Sequence, residues 1–254
     1  MAAPNNRFKS RMAAGDTVTA CWLGMADAYV ASMAGRAGWD LLVIDGEHAP
    51  NDIRSILAQL QALEASDSDV MVRLPVGQTH LIKQALDIGA QNLLIPMVET
   101  ADQARDLVAA VRYPPVGRRG VGAALARASG FTTVPDYIET ADDQICLFVQ
   151  VENRAGLASL DEILAIDGVD GVFIGPADLA ADMGFGANSA APEVRAAIKT
   201  AMKKIQAAGK ATGILTLDAA YASTCRAMGV QMIANAIDVV LYVKAMQAAA
   251  AVKP

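Results

Sequence analysis

Short apolar runs recur along the chain, and between them the apolar positions fall three and four residues apart. The runs are Thr17–Leu23 (TVTACWL), Asp40–Asp45 (DLLVID), Val70–Leu74 (VMVRL), Asn92–Pro96 (NLLIP), Ile145–Glu152 (ICLFVQVE), Gly171–Gly175 (GVFIG), Ala211–Leu215 (ATGIL) and Val230–Asn235 (VQMIAN). Runs this short, rich in Val, Ile and Leu, are the pattern of strands buried on both faces of a parallel sheet. Ile53, Ile56, Leu57, Leu60 and Leu63 follow Pro50 at helical spacing. Thr100-Ala101-Asp102-Gln103 reads as a capping box ahead of Ala104, Leu107, Val108 and Val111. Val194, Ile198, Ala201 and Ile205 line one face of a later helix, and the Ala-rich stretch Val239–Val252 is helical as well. Eight strands alternating with helices in 254 residues predict a TIM (β/α)8 barrel, one domain over residues 1–254. A doubly wound open sheet is the alternative; it is weakened because no Gly-x-Gly-x-x-Gly follows the first strand.

The strands are unevenly spaced. The fourth and fifth are separated by more chain than one helix needs, including Arg118-Arg119-Gly120-Val121-Gly122 and Ala126-Arg127-Ala128-Ser129. A Gly-rich loop, Gly175 to Ala190, follows the sixth. Long loops on a barrel are expected where a ligand sits.

Composition narrows the picture. The chain is 54% hydrophobic but 5% aromatic, so its core is aliphatic. Its net charge is −6, and no basic run exceeds pairs such as Arg118-Arg119 and Lys203-Lys204, which argues against nucleic acid and against anionic membrane surfaces. An anionic substrate would then need a metal or local amides to supply positive field. Three cysteines, Cys21, Cys146 and Cys225, lack metal-type spacing, and their odd number argues against a disulfide framework. Met1 to Asp16 is polar and basic, and no apolar stretch is long enough to span a bilayer, so a cytoplasmic protein is expected.

The polar residues at the C-terminal ends of the strands are the candidates for chemistry. Trp22 ends the first strand; Asp45 ends the second, followed by Gly46-Glu47-His48; Arg73 lies on the third; Gln150 and Glu152 lie on the fifth; the sixth runs into Gly175-Pro176-Ala177-Asp178; Asn235 and Asp238 close the eighth. Gln150 and Glu152, two apart, point to one side of their strand. Glu152 with Asp178 one strand over forms a pair of oxygen ligands suited to a hard cation such as Mg²⁺ or Mn²⁺; a salt-bridged Glu152 and a helix-capping Asp178 are the structural alternative. Of the two histidines, His80 lies early in a helical segment and reads as a surface or packing residue, whereas His48 lies just past a strand-end Asp and fits a general base; a loop-capping Asp45 beside a merely exposed His48 is the structural alternative. Arg73 needs an anion, either substrate or a structural partner in Asp45 or Glu152. No lysine projects from a predicted strand, which disfavours imine catalysis.

Taken together, these residues resemble the HpcH/HpaI aldolase family, including its 4-hydroxy-2-oxoheptanedioate and 2-keto-3-deoxy-sugar-acid aldolases. The stretches that carry the resemblance are residues 38–52 (GWDLLVIDGEHAPND), 81–96 (LIKQALDIGAQNLLIP), 113–122 (YPPVGRRGVG), 149–152 (VQVE) and 168–179 (GVDGVFIGPADL), so it runs over nearly the whole chain. It implies a barrel, a divalent metal (Mg²⁺, Mn²⁺ or Co²⁺) held by Glu152 and Asp178, a general base at His48 and a charge-stabilising Arg73. It implies that Gln150 and the Ala177 amide contact substrate, with Trp22, Gly175 and Pro176 beside them. It also implies that Asp45 orients His48, and that Asp87 reaches a neighbouring subunit's site in a closed homo-oligomer, a hexamer, raising the basicity of its histidine. The segments Asp182–Ala190 (DMGFGANSA) and Ile233–Asp238 (IANAID) depart from the family pattern and leave the aldehyde open.

The expected reaction is reversible cleavage of a 4-hydroxy-2-oxo acid to pyruvate and an aldehyde. The rivals are a citrate-lyase-like enzyme acting on acyl-CoA, for which no basic groove stands out, and a non-catalytic barrel that binds a 2-oxo acid or phosphate.

Overall fold

The computed structural model describes residues 2–252, in which eight parallel strands close in chain order into a barrel. The first half runs α1 (Arg7–Ala14), β1 (Val18–Leu23), α2 (Ala28–Ala34), β2 (Leu41–Asp45), α3 (Ile53–Ala62), β3 (Asp69–Arg73), α4 (Thr79–Asp87), β4 (Asn92–Ile95) and α5 (Ala101–Val111). The second half runs α6 (Tyr137–Thr140), β5 (Cys146–Val151), α7 (Arg154–Ala158), α8 (Leu160–Leu164), β6 (Gly171–Ile174), α9 (Pro176–Asp182), α10 (Pro192–Ala207), β7 (Ala211–Leu215), α11 (Ala219–Ala227), β8 (Met232–Ile237) and α12 (Asp238–Ala251). This is the TIM barrel that the alternating pattern predicts. The expected capping box is present: Thr100 accepts from the Gln103 N–H while the Gln103 side chain reaches back.

Strand periodicity divides the core in two. Leu42, Ile44, Val72, Leu93, Val149 and Ile174 point outward under the helices. Leu41, Val43, Met71, Leu94, Phe148, Phe173 and Met232 fill the interior. Two large rings fit inside because a glycine faces each: a Cβ on Gly171 would strike Phe148, and one on Gly213 would strike Phe173. Cys21 and Cys146 are buried in these two clusters and Cys225 is buried as well; all three are free thiols, as small core residues.

Three features depart from the sequence reading. The polar N-terminal segment forms α1, which drives Phe8 and Met12 into the barrel's N-terminal end, where Phe8 packs 5.8 Å from Phe148. The eighth strand continues past Asn235. Ala20 pairs with Ala234 and Cys21 with Ala236, so Asn235 is the extra residue of a bulge. The long excursion before β5 does not sit at the mouth. Its backbone bonds to α5 (Arg118 N–H to the Ala109 carbonyl, 2.7 Å) and Arg127 reaches the Ile88 carbonyl at the end of α4. Its length serves the outer ring.

The helix α12 is unlike the others. Asp238, its first residue, is buried and accepts from the N–H groups of Gly24 (2.8 Å) and Met25 (3.1 Å). From Leu241 to Val252 every residue is exposed, Tyr242 and Met246 included. Among the described residues no helix is long and apolar enough to cross a membrane.

Candidate active site

Parallel register fixes the floor of the mouth. Asp45 ends β2 directly opposite Arg73 at the end of β3, so the guanidinium forks onto the carboxylate, Nε to Oδ1 at 2.9 Å and Nη2 to Oδ2 at 2.7 Å. Its third nitrogen, Nη1, lies 2.7 Å from Oε2 of Glu47, and the Trp22 ring covers it with 5.3 Å from Cζ to the centroid. Arg73's partners are therefore Asp45 and Glu47, not Glu152.

The loop after β2 winds round the same carboxylate. The N–H groups of Glu47 (2.9 Å) and His48 (3.3 Å) donate to Asp45 Oδ1, and Asn51 Nδ2 donates to the Asp45 carbonyl. Gly46 is needed here because a Cβ would lie 2.7 Å from the Arg73 carbonyl that its N–H meets. Asp45 thus fixes the backbone of His48 but not its ring, since both carboxylate oxygens are committed to Arg73 and to the loop. The nearest carboxylate to the imidazole is Glu47, 3.9 Å from Nε2. The imidazole itself stands open to the cavity, 65% exposed.

On the opposite wall Gln150, in β5, and Glu152, just beyond it, face the same way and the Gln150 amide donates to the Glu152 carboxylate. The other oxygen, Oε1, accepts the Met97 N–H at 2.8 Å. Met97 holds φ +54°, a left-handed conformation that costs a non-glycine residue energy. That strain delivers the N–H. Gly175 lets the next strand end pass over this carboxylate, which a Cβ would strike. Asp178, exposed in the first turn of α9, adds a repelling charge, and Pro176 and Ala177 continue the rim.

Burial and pairing move these groups in opposite directions. Burial would raise Asp45, but Arg73's fork and two backbone N–H groups hold it below the usual carboxylate range. Burial pushes Glu47 up against the pull of Arg73. Burial also raises Glu152, with Asp178 and Glu47 adding to it against the Gln150 and Met97 hydrogen bonds. Asp45 and Glu47 hold the one guanidinium, and Glu152 and Asp178 add two more carboxylates that act on Glu47 and on each other. Gln150 Oε1 is buried without a hydrogen-bond donor, and Glu47 Oε2 meets Arg73 Nη1 as an ion pair outside hydrogen-bond geometry. This all-oxygen, electron-rich wall fits a hard divalent cation at Glu152 and Asp178. Among the described residues no three His, Cys, Asp or Glu side chains form a fuller cage, so two carboxylates would leave the remaining positions to water and substrate.

The cavity measures about 500 Å³, polar at its floor and apolar at its rim, where Ala49, Pro50, Leu215, Ile237 and Val239 line it. Of the residues singled out in the sequence, Trp22, Asp45, His48, Arg73, Gln150, Gly175, Pro176, Ala177 and Asp178 meet in it, with Glu152 behind Gln150. His80 lies elsewhere, beside Gln78 and Lys83. Asp87 also stands apart, at the end of α4 on the outer ring, where Arg119 holds its Oδ1 at 2.9 Å. Sequence reasoning passes over Glu47 and Met97. Glu47 is two residues after Asp45, the same spacing that flags Gln150 with Glu152; Met97's backbone role has no side-chain signature.

The chain matches the model of the HpcH/HpaI aldolase/citrate lyase family over residues 19–245. It is 59% identical over 241 residues to a hydroxypyruvate/pyruvate aldolase of Roseovarius nubinhibens, covering 95% of this chain and 94% of that protein. It is 50% identical over 246 residues to a 4-hydroxy-2-oxo-heptane-1,7-dioate aldolase of Salmonella dublin, covering 97% and 94%. The crystal structure of an HpcH/HpaI aldolase/citrate lyase family protein from Burkholderia cenocepacia J2315 superposes with a TM-score of 0.93 at 37% identity, covering 96% of this chain and 98% of that one. The chain belongs to the HpcH/HpaI aldolase/citrate lyase family and is a carbon–carbon lyase, an aldolase, acting on small molecules.

Proposed function

We propose that this aldolase reversibly cleaves 4-hydroxy-2-oxo acids to pyruvate and an aldehyde, with a divalent cation (Mg²⁺, Mn²⁺ or Co²⁺) held by Glu152 and Asp178. One observation carries the reading: four mutually repelling carboxylates share the mouth with a single guanidinium, already held by two of them, beside a cavity that must admit an anion. A substrate carboxylate would be repelled from such a wall unless a cation joined it. The names of the relatives support pyruvate as one product.

The chain's own groups divide the work. The Ala177 N–H, in the first turn of α9, has no acceptor within its helix and binds the substrate carboxylate. Gln150 Nε2, one of whose N–H groups holds the Glu152 carboxylate, donates its other N–H to the 2-oxo end. A bound divalent cation supplies Lewis acidity beside the 2-oxo group. His48, free to turn in the open cavity, takes the proton from the 4-hydroxyl; the C3–C4 bond breaks, the aldehyde leaves, and the electron pair passes into the pyruvate enolate. Arg73, fixed by its fork, stabilises the charge that develops on the enolate oxygen without having to reorganise. Trp22 and Phe173, 5.4 Å apart, wall the cavity beside it. The enzyme works as a closed homo-oligomer, a hexamer, in which α12 is covered and Asp87 reaches the mouth of a neighbouring copy.

The test is pyruvate release from 4-hydroxy-2-oxo acids before and after exhaustive chelation. Activity should vanish and return with Mg²⁺, Mn²⁺ or Co²⁺; full activity in the chelated protein sinks the reading. Borohydride with pyruvate should leave the enzyme active, because the strands carry no lysine.

A further inference from the structure

The excursion between β4 and β5 contains the least expected side chain in the molecule. Arg119 is fully buried, at 0% exposure, on the outer ring and away from the cavity. Its Nη2 holds Asp87 Oδ1 at 2.9 Å, while Nε and Nη1 find no acceptor in hydrogen-bond geometry. The guanidinium packs over the rings of Tyr113 (4.4 Å) and Tyr137 (5.9 Å). Burial pushes the Tyr113 phenol up to about 12, so it is neutral at physiological pH; it meets the cation through its ring, its hydroxyl finding no partner. Asp87 is thus the one carboxylate in hydrogen-bond contact with a dry cation, which the Tyr137 hydroxyl and, from farther off, Asp142 also face. Removing a guanidinium from water for a single direct carboxylate is expensive, and a pair built only for stability would be expected to satisfy more of its donors.

The cost secures a direction. With Oδ1 held by Arg119, the Asp87 Oδ2 is turned toward Gly122, and the side chain keeps 24% exposure. Backbone bonds from Gly117 to the Tyr113 carbonyl (2.9 Å) and from Arg119 to the Arg112 carbonyl (2.8 Å) hold the loop that carries Arg119. On the same excursion Val121 and Leu125 are exposed, Leu125 at 89%, an apolar frame around a fixed charge. We propose that Arg119 is a positioning residue: it holds Asp87 so that one carboxylate oxygen is presented, through this apolar frame, to the His48 of a neighbouring copy. The inference rests on the reading of Asp87 as a residue that completes another copy's site.

The test uses the full chain, with added Mn²⁺, as wild type, D87N, R119M, R119K, D87E and the D87N/R119M double variant. Melting temperature and light scattering establish fold and assembly, and pyruvate release is followed across pH. The charged groups facing Asp87 are Arg119 and, on its own helix, Lys83, with the two tyrosines beside them; those facing His48 in its own chain are Asp45, Glu47, Arg73 and Asp178. D87N should lower kcat and move the acid limb of the kcat/KM profile to lower pH, because a carboxylate favours the protonated imidazole and its loss removes that support. R119M should move the limb the same way and lower kcat roughly 10-fold with KM unchanged, the scale of a mispositioned group. The double variant should match D87N alone. R119K keeps the buried charge without the fork, and D87E leaves Arg119 intact while displacing the carboxylate; both should behave like R119M and decide the matter if R119M does not fold. Impaired D87N beside folded, assembled R119 variants of wild-type kcat and limb overturns the proposal, as do losses that multiply in the double variant. A wild-type D87N overturns the shared-site reading itself, and the role of Arg119 with it.

Discussion

Two arginines are buried among the described residues, and they are held in opposite ways. Arg73, at the mouth, has a carboxylate on every nitrogen and lies in a nest with more negative than positive charge. Arg119, on the outer ring, has one carboxylate, two idle nitrogens and two aromatic rings. The over-supplied arginine sits where anions outnumber cations, Glu152 and Asp178 adding to the two that hold it. The under-supplied one spends its charge on orienting a single carboxylate. Burial of a guanidinium therefore says little by itself; the balance of its partners tells whether the surroundings or the arginine is the active party.

The largest effects belong to the mouth. His48→Ala should lower kcat roughly 10²–10⁴-fold, the range for a positioned acid–base group, while Mn²⁺ affinity by calorimetry stays near wild type because His48 is not a proposed ligand. Arg73→Lys should cost roughly 10²-fold or more, since an ammonium cannot reproduce the fork onto Asp45 or the reach to Glu47. Its melting temperature should change little because the charge remains. Position 119 should invert this order: Arg119→Met should remove about 3 kcal/mol by urea unfolding for a smaller kinetic loss. A catalytic loss at 119 exceeding that at 73 would erase the distinction.

The two regions are not equally legible in the sequence. Strand ends declare themselves through apolar runs that stop at a polar residue, so the run pattern alone places Asp45, Arg73, Gln150 and Glu152 at the mouth. Glu47 escapes that pattern because the loop after β2 has no period to read; only its winding round Asp45 turns Glu47 toward Arg73. Met97 contributes a strained N–H that no side-chain identity signals. The bulge at Asn235 is hidden because a one-residue insertion reverses the facing pattern halfway along β8. Arg119 reads only as part of a basic pair, although Arg118 is a solvated partner of Asp106 and Arg119 is sealed. Two adjacent, identical residues face opposite environments, and irregular backbone offers no rule to tell them apart.

A smaller effect tests whether the outer arginine serves a second copy. Leu241 and Met246 lie exposed on α12, an element that carries neither arginine. Replacing both with Asp should break the assembly, read by light scattering, while the barrel's own stability shifts by no more than about 0.5 kcal/mol, as for exposed sites. The dissociated protein should lose about as much kcat as D87N, roughly 10-fold, with Arg119 and Asp87 untouched. A fully active dissociated barrel would confine Arg119 to holding its own chain together.

The smallest expected effect is the response of the mouth's anions to pH when no cation is bound. Burial raises Glu47 and Glu152. A carboxyl whose folded pKa lies above its unfolded value binds its proton first in the folded state, so it costs stability at neutral pH and returns it as pH falls through the raised value. Asp45 has the opposite sign: held low by Arg73 and the loop N–H groups, it adds stability above the ordinary carboxylate range and loses it as pH falls through its lowered value. The chelated protein should therefore gain stability on mild acidification before losing it at lower pH. Asp69, Asp142 and Asp170 are raised by burial as well and would blur that curve. The clean quantity is the difference between wild type and Glu152→Gln, both chelated, in melting temperature across pH. Wild type should be the less stable at neutral pH and should close the gap as the solution is acidified toward the raised Glu152 value; with Mn²⁺ restored the difference should change sign at neutral pH, because wild type then gains a partner the glutamine cannot hold. A difference that stays flat with pH in the chelated pair would mean that Glu152 carries no buried charge to relieve, and the contrast between a mouth with too many anions and an outer ring with too few would lose its main support.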